Sequence, residues 1–376
     1  MPRSSGYSLV GLLAGMLGVQ ELSPEIMREG RLLVDIALGL LLFELGSRFS
    51  LRWVRNNPWI VVSSLCESVL AFTAVLGVLL LFDLPSGTAV LAAAVLMATS
   101  PAVVMQLRKE LGSEGQVTER MVTLTALNSI YAIISVKVAL AWLHQSAYGN
   151  VVATLFKPVY LLLGSVLLAA ILAKCCGLFY RRLPLEREQG FVVLFGMLLV
   201  AVAVAHLFKL SSALTLLLAG AFFKNLPKPA PLGAPQFGSA GWMLTVVLFA
   251  YTASVLRWSD VVLGGTLALA AVVVRTIAKT VGTWLSAPRA GLERRKGLYL
   301  GLTLSPISAL AFVLVDDTYA QYPQFDPHLR AIVACCIVLS QVIAPWVVYR
   351  ALACSKESRA IDDSALRPVT KPARKS

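Results

Sequence analysis

Twelve apolar segments alternate with short polar gaps along the chain, at roughly 7–20, 31–47, 59–82, 86–106, 121–143, 151–180, 189–206, 210–223, 237–256, 260–287, 296–315 and 328–351. Many of them supply the roughly 20 apolar residues that a helix needs to cross a bilayer. Two are interrupted: Ser100-Pro101 sits in the fourth and Ser305-Pro306 in the eleventh. Proline has no amide proton, and its ring clashes with the carbonyl four residues back. A helix break near Met97–Pro101, with a counterpart at Ser305-Pro306, is therefore expected. In lipid, the freed backbone groups persist only where protein or a watery cavity satisfies them. The segment after the first break carries Asn128-Ser129 in its interior.

Composition turns this pattern into a class. The 376 residues are 57% hydrophobic and 14% charged, with a mean hydropathy of +0.76. That much apolar surface cannot be hidden from water in a soluble domain, so an all-α polytopic membrane protein with about 12 transmembrane helices is expected. The formal charge of +13 does not imply nucleic acid, because the charges fall in the gaps between apolar runs. Arg48, Arg52, Arg55, Arg108, Lys109, Arg120, Arg181, Arg182, Arg187, Lys224, Lys228, Arg289, Arg294, Arg295 and Lys296 lie in the even-numbered gaps. The odd-numbered gaps hold about a third as many, at Arg28, Arg31, Lys209, Arg257 and Arg330, together with the acidic Asp316, Asp317 and Asp326. Both termini are expected in the cytoplasm, with the protein in the cell (inner) membrane. Residues 1–352 form one transmembrane domain, and 353–376 read as a disordered basic cytoplasmic tail.

The run Tyr7–Val19 lacks a small-residue cleavage pattern after it, and its Gly11, Gly15 and Gly18 face suits helix packing. The seven Trp fall near segment ends, as an aromatic belt would. Cys175-Cys176 and Cys335-Cys336 are adjacent on helices and lack C-x-x-C spacing, which reads as packed or lipid-facing thiols. His144, His206 and His328 sit at segment ends without metal-ligand spacing, so no metal is expected. No nucleotide-binding glycine motif appears, and no cofactor is expected. An intramembrane enzyme would need a nucleophile with a base, and Ser100 and Ser305 have no His at matching helix depth.

The two Ser-Pro breaks suggest inverted repeats, with segments three to five matching ten to twelve. Two crossed discontinuous helices would then place a site at the bilayer midplane, as in many secondary transporters. Opposed half-helix dipoles at such a crossing need compensating charge. Arg275 and Lys279, one turn apart in segment ten, are candidates for it. Glu67, in segment three, is the strongest interior carboxylate. Asp35 and Glu44 lie nine residues apart and project from opposite faces of segment two. Lys137 either lines the same cavity or snorkels outward.

These residues resemble the transmembrane domain of the monovalent cation:proton antiporters, in particular the sodium/proton exchangers and potassium efflux systems. Four stretches carry the likeness: Val10–Gly18; Leu40–Gly46 with Leu51-Arg52; Met97–Leu111 with Thr99-Ser100-Pro101; and Lys279–Gly282 followed by Gly301 and Ser305–Val315. The resemblance implies a sodium/proton antiporter-like fold, with core helices at about 59–143 and 260–351 moving against a scaffold, and homodimers built through that scaffold. Its partners would be a monovalent cation (Na⁺ or K⁺), protons and the bilayer. It further implies an ion site drawn from Thr99, Ser100, Asn128, Ser129, Ser305 and Glu67, helix breaks at Pro101 and Pro306, and charge compensation by Lys279 and Arg275.

The chain also departs from that family. An Asn-Asp or Asp-Asp pair, whose second Asp exchanges cation for proton, here reads Asn128-Ser129. The acidic end of the early motif reads Gly46-Ser47-Arg48. The family's usual first helix is missing unless the true start lies upstream of Met1, and the cytosolic nucleotide-binding domain of the potassium efflux members is absent from the sequence, so nucleotide or glutathione gating in cis is not expected. A serine hydroxyl is neutral across physiological pH, so it coordinates a cation but cannot trade it for a proton. Lys279 is expected to lack its carboxylate partner. Three outcomes stay open. Glu67 serves as the titrating carboxylate; or Lys279 titrates, or takes an anion together with Arg275; or the protein is an uncoupled, channel-like or regulatory membrane protein.

Overall fold

A computed structural model describes residues 3–17, 24–148, 151–182, 187–226 and 238–358. Among these residues the structure is helical: α1 (Arg3–Met16), α2 (Pro24–Gly46), α3 (Leu51–Asn56), α4 (Pro58–Leu81), α5 (Ser86–Val95), α6 (Pro101–Leu111), α7 (Gln116–Tyr148), α8 (Val151–Arg182), α9 (Arg187–Leu207), α10 (Ser212–Lys224), α11 (Gly238–Ser254), α12 (Trp258–Ser286), α13 (Arg294–Thr303), α14 (Ala309–Gln321) and α15 (Pro327–Cys354). These fifteen exceed the twelve apolar segments for two reasons. The fourth and eleventh segments each divide into two short helices, and a polar turn of helix, α3, forms between α2 and α4. Six helices are long and apolar enough to cross a membrane by length and composition: α4, α7, α8, α9, α12 and α15.

The breaks follow from local chemistry. Pro101 occupies the first position of α6, where the missing amide proton has no partner to lose, and Ser100 caps that helix by accepting from the Val103 amide. Arg108 and Lys109 in its last turn face the negative end of the dipole, and Gly112 closes the helix at φ 55°. In the second broken helix Pro306 lies within the extended link, and Ser308 caps α14 through the Leu310 amide. The two links cross as a single antiparallel bridge between Thr99 and Ile307, with the Ser100 amide donating to the Pro306 carbonyl at 2.9 Å.

Helices α4 and α12 turn their polar faces inward, the reverse of a soluble helix. On α4, Ser63, Ser64, Glu67 and Ser68 are buried while Val61, Val62, Leu65 and Val69 are exposed. On α12, Arg275, Lys279, Thr283 and Ser286 are buried while Val262, Leu269, Val273 and Ile277 face out. The two faces meet. A side chain on Gly282 would overlap the Glu67 backbone, so this glycine sets how closely the helices approach. Elsewhere Gly11 and Gly15 of α1 abut the α11 backbone, whereas Gly18 lies outside the described residues. The chain after α15 is described as far as Ser358. Within it, the Glu357 carboxylate accepts from the Val117 and Thr118 amides at 2.9 Å each, capping the start of α7. Residues 359–376, most of the expected tail, lie outside the described residues.

Candidate functional site

The crossing leaves carbonyls without helical partners, and Arg275 takes up three of them. Its Nε donates to the Leu96 carbonyl at 2.6 Å, Nη2 to Ala98 at 2.9 Å, and Nη1 to Ser305 at 2.7 Å. The first two carbonyls belong to the α5–α6 link and the third to the α13–α14 link, so one planar guanidinium ties both breaks together. It also sets a positive charge against the C-terminal ends of α5 and α13, where the dipoles are negative.

One turn along α12, Lys279 Nζ lies 2.7 Å from Glu67 Oε2, and neither side chain has exposed surface. The expected loss of a carboxylate partner for Lys279 therefore does not hold. The partner comes from α4 and not from α7, a tertiary contact that the local pattern does not encode. From Glu67 a chain of polar contacts leads to the crossing. Ser68 Oγ lies 3.4 Å from Glu67 Oε1 and donates to Asn128 Oδ1 at 3.0 Å. Ser64 Oγ donates to the same oxygen at 3.3 Å. Asn128 Nδ2 donates to Thr99 Oγ1 at 3.0 Å, and Thr99 Oγ1 donates to the Leu304 carbonyl at 3.4 Å.

The structure thus brings together Glu67, Lys279, Asn128, Thr99 and Arg275. Ser305 joins them through its carbonyl, and its buried hydroxyl has no partner. Ser100 spends its hydroxyl on the α6 cap. Ser129 is buried, but its hydroxyl turns back to the Thr125 carbonyl of its own helix at 3.0 Å. Pro101 and Pro306 shape the links and offer no side-chain donors. Ser64 and Ser68 are functional candidates that the sequence reading missed. Their signal was present, as polar residues at i and i+4 flanking Glu67 in an apolar run.

The remaining charged candidates lie elsewhere. Lys137 reaches Asp317 at 3.3 Å, Glu44 pairs with Lys109 at 2.8 Å and Arg48 at 3.3 Å, and Asp35 stands 3.8 Å from His206. His328 Nδ1 meets Asp326 at 2.7 Å, and the side chain of His144 lies outside the described residues. Among the described residues, no group of three or more His, Cys, Asp and Glu gathers as a metal site. Chemically, the arrangement offers one carboxylate, one exchangeable ammonium, and neutral oxygens from Asn128, Thr99 and the serines.

Comparison with known proteins agrees with this architecture. The model of the sodium/hydrogen exchanger transmembrane domain matches residues 1–353. The structure is similar to that of the sodium proton antiporter MjNhaP1 from Methanocaldococcus jannaschii at pH 8. The TM-score is 0.64 at 16% identity, over 94% of this chain and 89% of that one. An electron-microscopy map of the same antiporter gives a TM-score of 0.57 at 14% identity, over 94% and 87% of the two chains. No curated protein sequence matches.

Proposed function

The chain belongs to the sodium/hydrogen exchanger family, and on that premise we propose that it exchanges a monovalent cation for a proton, with Glu67 as the carboxylate that receives the cation. The observation that carries this reading is the buried Glu67–Lys279 pair, joined through Ser68 and Asn128 to Thr99 at the crossing. A cation entering the site takes the place of the Lys279 ammonium on the Glu67 carboxylate. Thr99 Oγ1, Asn128 Oδ1 and the serine hydroxyls replace part of its hydration shell. The displaced ammonium is then a buried charge without a partner, which low dielectric drives to release its proton. On the opposite face a proton returns to Lys279, the ammonium reclaims Glu67, and the cation leaves. One cation and one proton are exchanged, and the charge of the pair is the same before and after.

In this reading α4–α7 and α12–α15 form the moving core, which corresponds to about 59–143 and 260–351. The other helices form the scaffold through which two copies associate. Both termini lie in the cytoplasm of the cell that holds the protein in its inner membrane, in keeping with the Lys and Arg in the even-numbered gaps. Ser129 adds at most a neutral ligand.

Everted vesicles with a preset ΔpH test the exchange. Addition of Na⁺ or K⁺ dissipates the gradient in the native protein and not in Glu67→Gln. No response to either ion between about pH 6 and 9, a window running from the His towards the Lys range, would overturn the reading and favour an uncoupled membrane protein.

A further inference from the structure

Between α4, α5 and α7 lies a cavity of about 430 Å³, a size typical of small-molecule sites. Its lining is apolar apart from the Ser135 hydroxyl and the Trp142 indole. Val69 of α4 and Val138 and Trp142 of α7 form its mouth, with 47%, 56% and 47% of their surface exposed. Both helices are long and apolar enough to cross a membrane, so this mouth opens onto hydrocarbon and not onto water. The floor is Met97, only 6% exposed, in the link between α5 and α6. Arg275 holds the carbonyls on either side of it, those of Leu96 and Ala98.

Depth along the membrane points to the occupant. Asn128 of α7 meets Thr99 at the crossing. The lining on α7 begins beyond it at Ile134 and ends at Trp142, about 12 Å further along the helix. The cavity thus runs from near the crossing to the level of an interfacial Trp, close to the half-thickness of the hydrocarbon layer, about 15 Å. A helix, about 10–12 Å across with its side chains, is too thick to enter, whereas an unbranched chain is not. No lysine or arginine lines the cavity to hold the carboxylate of a free fatty acid.

We propose that this cavity holds one acyl chain of a bilayer phospholipid, with the chain end packed on Met97 and the glycerol end at Trp142. The chain braces the Leu96–Ala98 stretch, so a movement of the first broken helix has to displace it or carry it along. Binding there is a property of the fold and does not depend on the exchange reading.

Photolabelling tests it without transport. The full-length protein is placed in phosphatidylcholine nanodiscs doped with a phosphatidylcholine that carries a diazirine at the end of one chain, and the labelled residues are located by mass spectrometry. Bulk lipid does not reach the buried Met97, so a label there reports a chain inside the cavity. The expected result is labelling of Met97 in the native protein. Val138→Trp blocks the mouth at an exposed position, and Ser135→Phe fills the cavity from its wall. Each lowers the Met97 label by roughly tenfold, the worth of about two buried methylene groups, while labelling of the lipid-facing side of α12 stays the same. Val62→Trp, on the exposed face of α4 away from the cavity, leaves the Met97 label unchanged. Absence of the label in the native protein overturns the proposal, as does a label that neither cavity variant lowers. Stronger labelling of Met97 by a diazirine fatty acid at equal concentration gives the site to a free acid and overturns the phospholipid. A cavity variant that loses the label and also converts a dimer to a monomer gives the face to a second copy of the chain, which likewise overturns it.

Discussion

Lys279 Nζ and Glu67 Oε2 stand 2.7 Å apart, with no exposed surface on either side chain. A pair so enclosed contributes little net stability, because desolvation of both charges offsets their attraction, yet removing one partner leaves the other charge uncompensated. Each of Glu67→Gln and Lys279→Met is therefore expected to destabilise the protein by about 3–5 kcal/mol. The double variant is expected to recover much of that loss. Thermal unfolding in detergent, analysed as a double-mutant cycle, measures the coupling. Additive losses would show that the two side chains do not act as a pair.

Because the pair carries the same net charge with a proton on Lys279 as with a cation on Glu67, exchange through it is electroneutral. The rate of Na⁺-driven ΔpH dissipation is expected to stay the same when valinomycin and K⁺ clamp the membrane potential at different values. A rate that follows the clamp would mean that a further charge crosses with each cycle and that the one-for-one scheme is wrong.

Ser129 is one residue from Asn128 but bonds back to Thr125. Ser129→Asp places a second carboxylate on α7 next to Asn128 of the network. The expected outcome is retained folding with an altered cation dependence, and partial rescue of exchange when it is combined with Glu67→Gln. Initial rates across a Na⁺ series in the single and double variants check this. Failure of the double variant to exchange while it remains folded would show that the carboxylate position on α4 is not replaceable from α7.

The apolar segments and the first break were legible because they are local properties. Hydropathy marks a span, and Pro101, whose ring clashes with the carbonyl four residues back, favours a break there, although Pro345 is accommodated inside α15. Arg275 and Lys279 were legible as buried charges on one face. Their partners were not. The guanidinium bonds to backbone carbonyls of Leu96, Ala98 and Ser305, which carry no side-chain signature. Glu67 meets Lys279 only because Gly282 lets α4 and α12 approach. The orientation of Ser129 is a rotamer choice, and residue type alone does not reveal it. Glu357 sits in a stretch that composition assigns to a solvated tail, and its role as a helix cap depends on where α7 begins.

At the start of α15, its N-cap Asp326 offers a measurable pH response outside the spanning helices. Burial works to raise its pKa, but the His328 amide, the Thr88 hydroxyl and the His328 ring outweigh it and hold the carboxyl below its ordinary range. The carboxylate accepts from Thr88 of α5 at 2.7 Å and from the His328 amide at 3.0 Å, so it both caps α15 and fastens it to α5. A carboxyl depressed in the folded state contributes stability that is complete above its unfolded pKa, about 4, and is lost as pH falls through the folded value. The native protein is therefore expected to lose on the order of 1 kcal/mol, the worth of a helix cap, as pH drops below about 4. Asp326→Asn keeps the cap acceptor but does not titrate, so its melting temperature is expected to be lower at neutral pH and flatter across the acid range. Parallel melts of the two proteins between about pH 3 and pH 7 decide the matter. Parallel slopes would show that the acid sensitivity lies in other carboxylates.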